Sequence, residues 1–263
     1  MLPENISFGP HFMFGVNLGS PHQIEGQPPD TDYRSSEHAL GTLPPEVGWW
    51  NTPQLFKTDL ELTRDLGIKS ARIGIEWARV EPEPDRIDTQ AVRHYQSSVD
   101  HLLQLGIKPV ITLYHFTLPR HIAVQGGWSN PATVAKFRNF SRLVTNEIST
   151  VPYIITMNEP SVFLTNGYLK GIWPPNLKLS PQLIVAFLNV VKAHNSVYES
   201  LKQTYPQVQV GISEALRGFV PTDMPQTAEA RTREFLLNEL FFTYDSKRFP
   251  WCKLFWGLCP EAF

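Results

Sequence analysis

The run Tyr153-Ile154-Ile155-Thr156-Met157-Asn158-Glu159-Pro160 puts a carboxamide and a carboxylate directly after residues that prefer extended structure. Tyr, Ile and Thr fit a half-buried pleat. Pro160 has no N–H to give a sheet ladder, so the run ends there, and its ring keeps Glu159 out of right-handed helical backbone. The carboxylate is therefore expected on the last residue of an apolar strand. (β/α) barrels hold their reacting groups at such strand ends.

Other strand ends supply matching residues. His22-Gln23-Ile24-Glu25-Gly26 follows a first apolar strand, a second contains Arg72 and ends Glu76-Trp77-Ala78-Arg79, and a third ends Tyr114-His115-Phe116. Taken singly, Gln23 reads as a surface amide and His115 as a structural histidine. Arg72 is rarer, because a cation inside a strand needs a partner. Gathered at one end of one sheet, Gln, Arg, His, Asn and Glu suit the hydrolysis of a glycosidic bond. Amide and imidazole groups read sugar hydroxyls by donating and accepting. One carboxylic acid must protonate the leaving oxygen while a second carboxylate attacks or activates water. Glu159 fits the acid, a role that needs it to stay protonated near neutral pH through burial or a neighbouring carboxylate.

The elements that must position these groups alternate. Strands are expected at Phe12 to Leu18, Ser70 to Glu76, Lys108 to Tyr114, Tyr153 to Met157 and Val208 to Ser213. Between them lie helices from Pro53 to Leu66 (capped by Thr52 and closed by Gly67), Asp88 to Leu105 (closed by Gly106), Asn130-Pro131 to about Ile148, and Ser180-Pro181 to about Thr204; a last helix runs from Thr227 to about Thr243. Two helices end in Leu-Gly-Ile-Lys, at 66–69 and 105–108. The pattern is a run of βα units building a parallel sheet. The Pro-, Gly- and Ser-rich loop from Gln27 to Trp50 is too long for a simple connection, and such loops are commonly functional. The expected fold is α/β, a (β/α)8 barrel of which about five of eight units are present, in a single domain over residues 1–263.

Composition narrows the classes. The 263 residues are 42% apolar and 18% charged, which makes the chain globular. A net charge of −2 gives no electrostatic case for nucleic acid or an anionic membrane. No apolar run approaches the ~20 residues of a membrane span, and Met1-Leu2-Pro3-Glu4-Asn5 reads as no signal peptide. Cys252 and Cys259 make no disulfide framework, so a cytoplasmic setting is expected. Nothing in the sequence requires a metal or a cofactor.

The residues in order resemble glycoside hydrolase family 1, the β-glucosidase and β-galactosidase type. The similar segments are Phe14-Gly15 through Gln23-Ile24-Glu25-Gly26, Asp65 to Lys69 with Ala71 to Pro82, Thr112 to Pro119 with Gly126-Gly127-Trp128, Thr156 to Pro160, and Gly167-Tyr168 with Gly171-Ile172-Trp173-Pro174-Pro175. The resemblance implies Glu159 as general acid/base and Asn158 as partner of the 2-hydroxyl. It implies Gln23 and His115 on the glycone hydroxyls, and Arg72 holding the nucleophile carboxylate ionised. It implies retention of anomeric configuration, with carboxyl groups about 5–5.5 Å apart, acting on a β-linked glycoside or oligosaccharide.

The sequence also departs from the family pattern. The nucleophile of the family lies in a Glu-Asn-Gly segment on the seventh strand, and these 263 residues contain none. Phe116 stands where Trp is usual, Thr117 where Asp is usual, and Ala215 where Asn is usual. The tail from Phe249 to Phe263 does not resemble the family. Glu25, Glu76 and Glu214 also lie near strand ends. Glu214 is the best placed to substitute for the nucleophile, but an exposed or structural role is the better reading for it, and a buried partner role for Glu76. Three readings follow: the acid/base part of a retaining glycosidase, a non-catalytic carbohydrate-binding remnant, and one half of a split barrel completed by a complementing C-terminal half. Five parallel strands leave two open edges and an uncovered inner face, which invites aggregation.

Overall fold

The computed structural model describes residues 9, 12–19, 21–25, 30–41, 53–148, 151–218, 230–232 and 238, the side chains of 22, 23 and 53–55 excepted. In chain order they form β1 (Gly15–Asn17), α1 (Pro21–Ile24), α2 (Asp32–Leu40), α3 (Pro53–Asp65), β2 (Ser70–Gly74), α4 (Trp77–Val80), α5 (Thr89–Gln104), β3 (Lys108–Tyr114), α6 (Arg120–Ala123), α7 (Ala132–Glu147), β4 (Tyr153–Asn158), α8 (Pro160–Leu164), α9 (Gln182–Thr204) and β5 (Gln209–Ser213).

Local chemistry sets the helix ends. Asp88 caps α5 by accepting from the N–H groups of Gln90 and Ala91. Asn130 and Ser180 accept from the N–H groups of Ala132 and Gln182, opening α7 and α9. Both Leu-Gly-Ile-Lys repeats are helix stops. Gly67 and Gly106 take φ of 75° and 72°, and the following N–H of Ile68 or Ile107 reaches back to Thr63 or Leu102. Glycine is suited to that left-handed turn because it has no Cβ.

All neighbouring strands are parallel, in the order β1-β2-β3-β4-β5. A sheet whose spatial order follows chain order winds in one direction, with its helices on one face. Doubly wound sheets reverse partway. The described residues thus form a five-stranded partial (β/α) barrel. Its outward face holds Ala71, Ile73, Ile111, Leu113 and Ile154, buried together with Leu60 of α3, Val99 and Leu102 of α5, Phe137 of α7, and Val190 and Val197 of α9. The inward face differs. Arg72 lies beside Val110, Val110 beside Tyr153, Thr112 beside Ile155 and Ile155 beside Gly211. Apart from Thr112 these are only half-buried. Met13, Val110, Tyr153, Ile155 and Gly211 contribute to the lining of an open trough of about 250 Å³.

Three expectations need correction. The first two strands are shorter than Phe12 to Leu18 and Ser70 to Glu76: β1 is confined to Gly15–Asn17, and β2 ends at Gly74, with Glu76 capping α4. The long loop from Gln27 contains α2, capped by the Thr31 hydroxyl at the Arg34 N–H and closed by Gly41 at φ 67°. No residue of α2 is fully buried, so it lacks the apolar stripe by which a helix is recognised in sequence. Glu159, expected as the last residue of its strand, stands one residue beyond β4, and Pro160 begins α8. The cap expected at Thr52, most of the helix from Thr227 to Thr243 (230–232 are helical) and the tail from Phe249 lie outside the described residues.

Candidate active site

Asn158 and Glu159 owe their positions to two local irregularities. Between Ile155 and Asn158 the register of β4 against β5 shifts, so that Asn158 pairs with Ser213. A bulge re-aims side chains in this way. It turns Asn158 inward, where the residue is 3% exposed and its Oδ1 accepts from Arg72 Nη2 at 2.5 Å. Glu159 then adopts φ 45° and ψ 59°. A non-glycine residue in this left-handed region is strained, and the surrounding contacts must hold it there. Its N–H donates to the Ser213 carbonyl at 2.6 Å, and its carbonyl accepts from the N–H groups of Val162 and Phe163.

Arg72 ties four strands together. From β2, its Nε donates to Thr112 Oγ1 of β3 at 2.7 Å, Nη2 to Asn158 of β4, and Nη1 to Ser213 Oγ of β5 at 3.2 Å. Burial lowers the pKa of its guanidinium, and the charge of Glu159 opposes that. Among the described residues no carboxylate forms an ion pair with Arg72. Arginine only donates, so Asn158 must turn Oδ1 toward it, which leaves Nδ2 as the free donor of the carboxamide.

His115 follows β3, half-buried and edge-on to Phe116 at 5.0 Å. Phe116 takes φ 77° and packs 5.0 Å from Trp173, which in turn lies 6.1 Å from Tyr33 of α2. These three rings form an aromatic ledge beside His115. Gln23 stands on α1, after β1; its side chain lies outside the described residues. The structure therefore joins Arg72 and Asn158 by a hydrogen bond with Glu159 next in the chain, and it sets His115 and Gln23 beyond the C-terminal ends of other strands of the same sheet.

Two buried carboxylates, Glu25 and Glu76, and two half-buried ones, Asp32 and Glu214, brace the loops that carry these groups. Glu25, just after α1, accepts from Tyr95 at 2.7 Å and pairs with Arg79 at 3.1 Å. Burial raises its pKa to about 7, against the pull of Arg79. Asp32 accepts from the N–H groups of Leu118 and Tyr33, tying α2 to the segment after His115; burial raises it to about 8. Thr117 donates to the buried carboxylate of Glu76, with its hydroxyl 2.9 and 2.8 Å from the two oxygens. An aspartate at 117 would set a second carboxylate against Glu76; threonine supplies a proton donor instead. Glu76 is thus a buried partner, as expected. Glu214, after β5, accepts from Ser161 Oγ at 2.6 Å, from the Ser161 N–H at 3.2 Å and from the Ala215 N–H at 3.0 Å. The tie between Glu214 and Ser161 spans 53 residues, so no local pattern in the sequence signals it.

The sequence profile described as Glycosyl hydrolase family 1 matches residues 5–247. The chain belongs to glycosyl hydrolase family 1. The match stops just before the dissimilar tail from Phe249. β-Glucosidase A of Thermotoga maritima is 32% identical over 214 residues, covering 76% of this chain and 47% of that protein. Human Klotho is 35% identical over 198 residues, or 70% of this chain and 19% of that protein. Among solved family 1 structures, the Thermotoga maritima β-glucosidase in complex with noeuromycin superposes with a TM-score of 0.84 at 27% identity, covering 95% of this chain and 59% of that one. The β-glycosidase from Pyrococcus horikoshii gives 0.81 at 31% identity, covering 90% and 55%. The chain spans about half the length of these β-glucosidase and β-glycosidase relatives, and about a fifth of Klotho.

Proposed function

We propose that this chain carries the acid/base half of a retaining β-glycosidase site and acts on a β-linked glycoside or oligosaccharide. The observation that supports it most is Glu159 set in a left-handed turn at the end of β4, beside an Asn158 whose oxygen is already taken by Arg72. In this reading Glu159 protonates the leaving oxygen as a carboxylate nucleophile bonds to the anomeric carbon. It then takes a proton from the water that frees the sugar. Asn158 Nδ2 donates to the 2-hydroxyl, and Gln23 and His115 bind the glycone hydroxyls. Arg72, with Glu159 already in its field, also faces the nucleophile. That nucleophile belongs to residues outside these 263, in the same polypeptide or in a complementing C-terminal half. No metal or cofactor enters this chemistry, and neither nucleic acid nor membrane is a partner. Among the described residues no helix is long and apolar enough to cross a membrane; a cytoplasmic site of action remains part of the proposal.

Titrating the chain with methyl β-glucoside and methyl β-galactoside, by saturation-transfer NMR, tests the glycone assignment. Saturable binding of one of them, weakened at least tenfold by Asn158→Ala, is the expected result. Equal binding by the wild-type chain and by Asn158→Ala would overturn the assignment.

A further inference from the structure

The strained turn at Glu159 needs something to hold it, and β5 holds it on both sides. The Glu159 N–H is fixed to the Ser213 carbonyl at 2.6 Å. Two residues on, both donors of Ser161 go to the carboxylate of Glu214, the residue after Ser213. The Ala215 N–H fixes that carboxylate in turn. Pro160, between the two anchor points, has no N–H to contribute.

We propose that Glu214 is a positioning residue for Glu159: by clamping Ser161 onto the end of β5 it keeps the Glu159 backbone left-handed and its carboxylate beyond β4. The role rests on the reading of Glu159 as acid/base, but the clamp exists without any sugar. Charged groups near it are Glu159, whose charge disfavours ionised Glu214, and Arg72, which reaches Ser213 Oγ from β2. His194 of α9 lies on the other face of β4, bonded to Thr156. Burial raises the pKa of Glu214, and the bonds from Ser161 and Ala215 counter that rise and favour the ionised acceptor.

The clamp offsets strain that only a residue with a Cβ suffers, so its effect must depend on what stands at 159. Glu159→Gln removes the charge and keeps the Cβ; Glu159→Gly removes both. Amide exchange of the 159–165 segment is measured by mass spectrometry in the full chain, with Glu214→Leu placed in each background. In the Glu159→Gln background, loss of Glu214 speeds exchange by roughly fivefold or more. In the Glu159→Gly background the acceleration is smaller by at least half. Glu214→Gln, which keeps one acceptor oxygen and the side-chain size, shows the same order with smaller effects, and decides the matter should the leucine variant not fold. Equal acceleration in both backgrounds would reduce Glu214 to a cap with no hold on Glu159, and no acceleration in either would remove the clamp altogether. Neither outcome touches the glycosidase reading, which the sugar titration tests separately.

Discussion

Glu159 is set by its backbone as much as by its charge. A left-handed glutamate costs on the order of 1 kcal/mol or more over the ordinary conformation. The bonds to Ser213 and the helical turn that follows keep it there. Asn158 is set by the bulge and by Arg72. Removing Arg72 would leave Asn158 Oδ1 buried without its donor, and an unmatched buried acceptor costs about 1–3 kcal/mol. Arg72→Met should therefore speed amide exchange across β4 and β5 by one to two powers of ten. Arg72→Lys should recover little, because one ammonium cannot span Thr112, Asn158 and Ser213 as a planar fork does. Unchanged exchange in Arg72→Met would show that the guanidinium does not tie these strands. The residue types at this site were legible in the sequence. The bulge and the left-handed turn were legible only in part: Pro160 excluded right-handed helix at Glu159, but nothing local signals a register shift between two strands more than 50 residues apart.

The elements were the most legible level, because their signals are local. Asp88, Asn130, Ser180, Gly67 and Gly106 mark helix ends by the bonds they make or the φ they take. α2 was missed because its sequence is polar and its fixing contact, Asp32 with the Leu118 N–H, is long-range. That contact makes the segment after β1 sensitive to pH. Glu25 and Asp32 have folded values of about 7 and about 8, above their ordinary 4.5 and 3.8. Both bind a proton more tightly in the folded segment than in the unfolded one. Their contribution is complete below about pH 4 and is lost as the pH rises through 7 and 8. Amide exchange of residues 30–41, corrected for its intrinsic pH dependence, should quicken between pH 6 and pH 9. Asp32→Asn, which keeps an oxygen for the Leu118 N–H, should flatten that rise. A segment most protected at pH 9 would contradict the account.

At the scale of the molecule, the outward face of the sheet is a finished core and the inward face is not. Helices cover Ala71, Ile73, Ile111 and Leu113, while Val110, Tyr153 and Ile155 stay half-exposed along the open trough. Strands β1 and β5 are the edges of the described sheet. In a closed barrel, side chains from further strands would fill that trough in layers. The sequence places five strands, as many as the described residues form, and the chain covers about half the length of the Thermotoga maritima and Pyrococcus horikoshii enzymes. The central claim is that these residues supply the acid/base and that further βα units supply the nucleophile. Release of nitrophenol from p-nitrophenyl β-glucoside and β-galactoside, by the chain alone and mixed with a polypeptide carrying three more family 1 βα units and their Glu-Asn-Gly strand, tests it most directly. The account predicts no turnover by the chain alone, turnover in the mixture, and its loss by at least a hundredfold with Glu159→Gln. Turnover by the chain alone, or a Glu159→Gln mixture as active as the wild-type one, would contradict it.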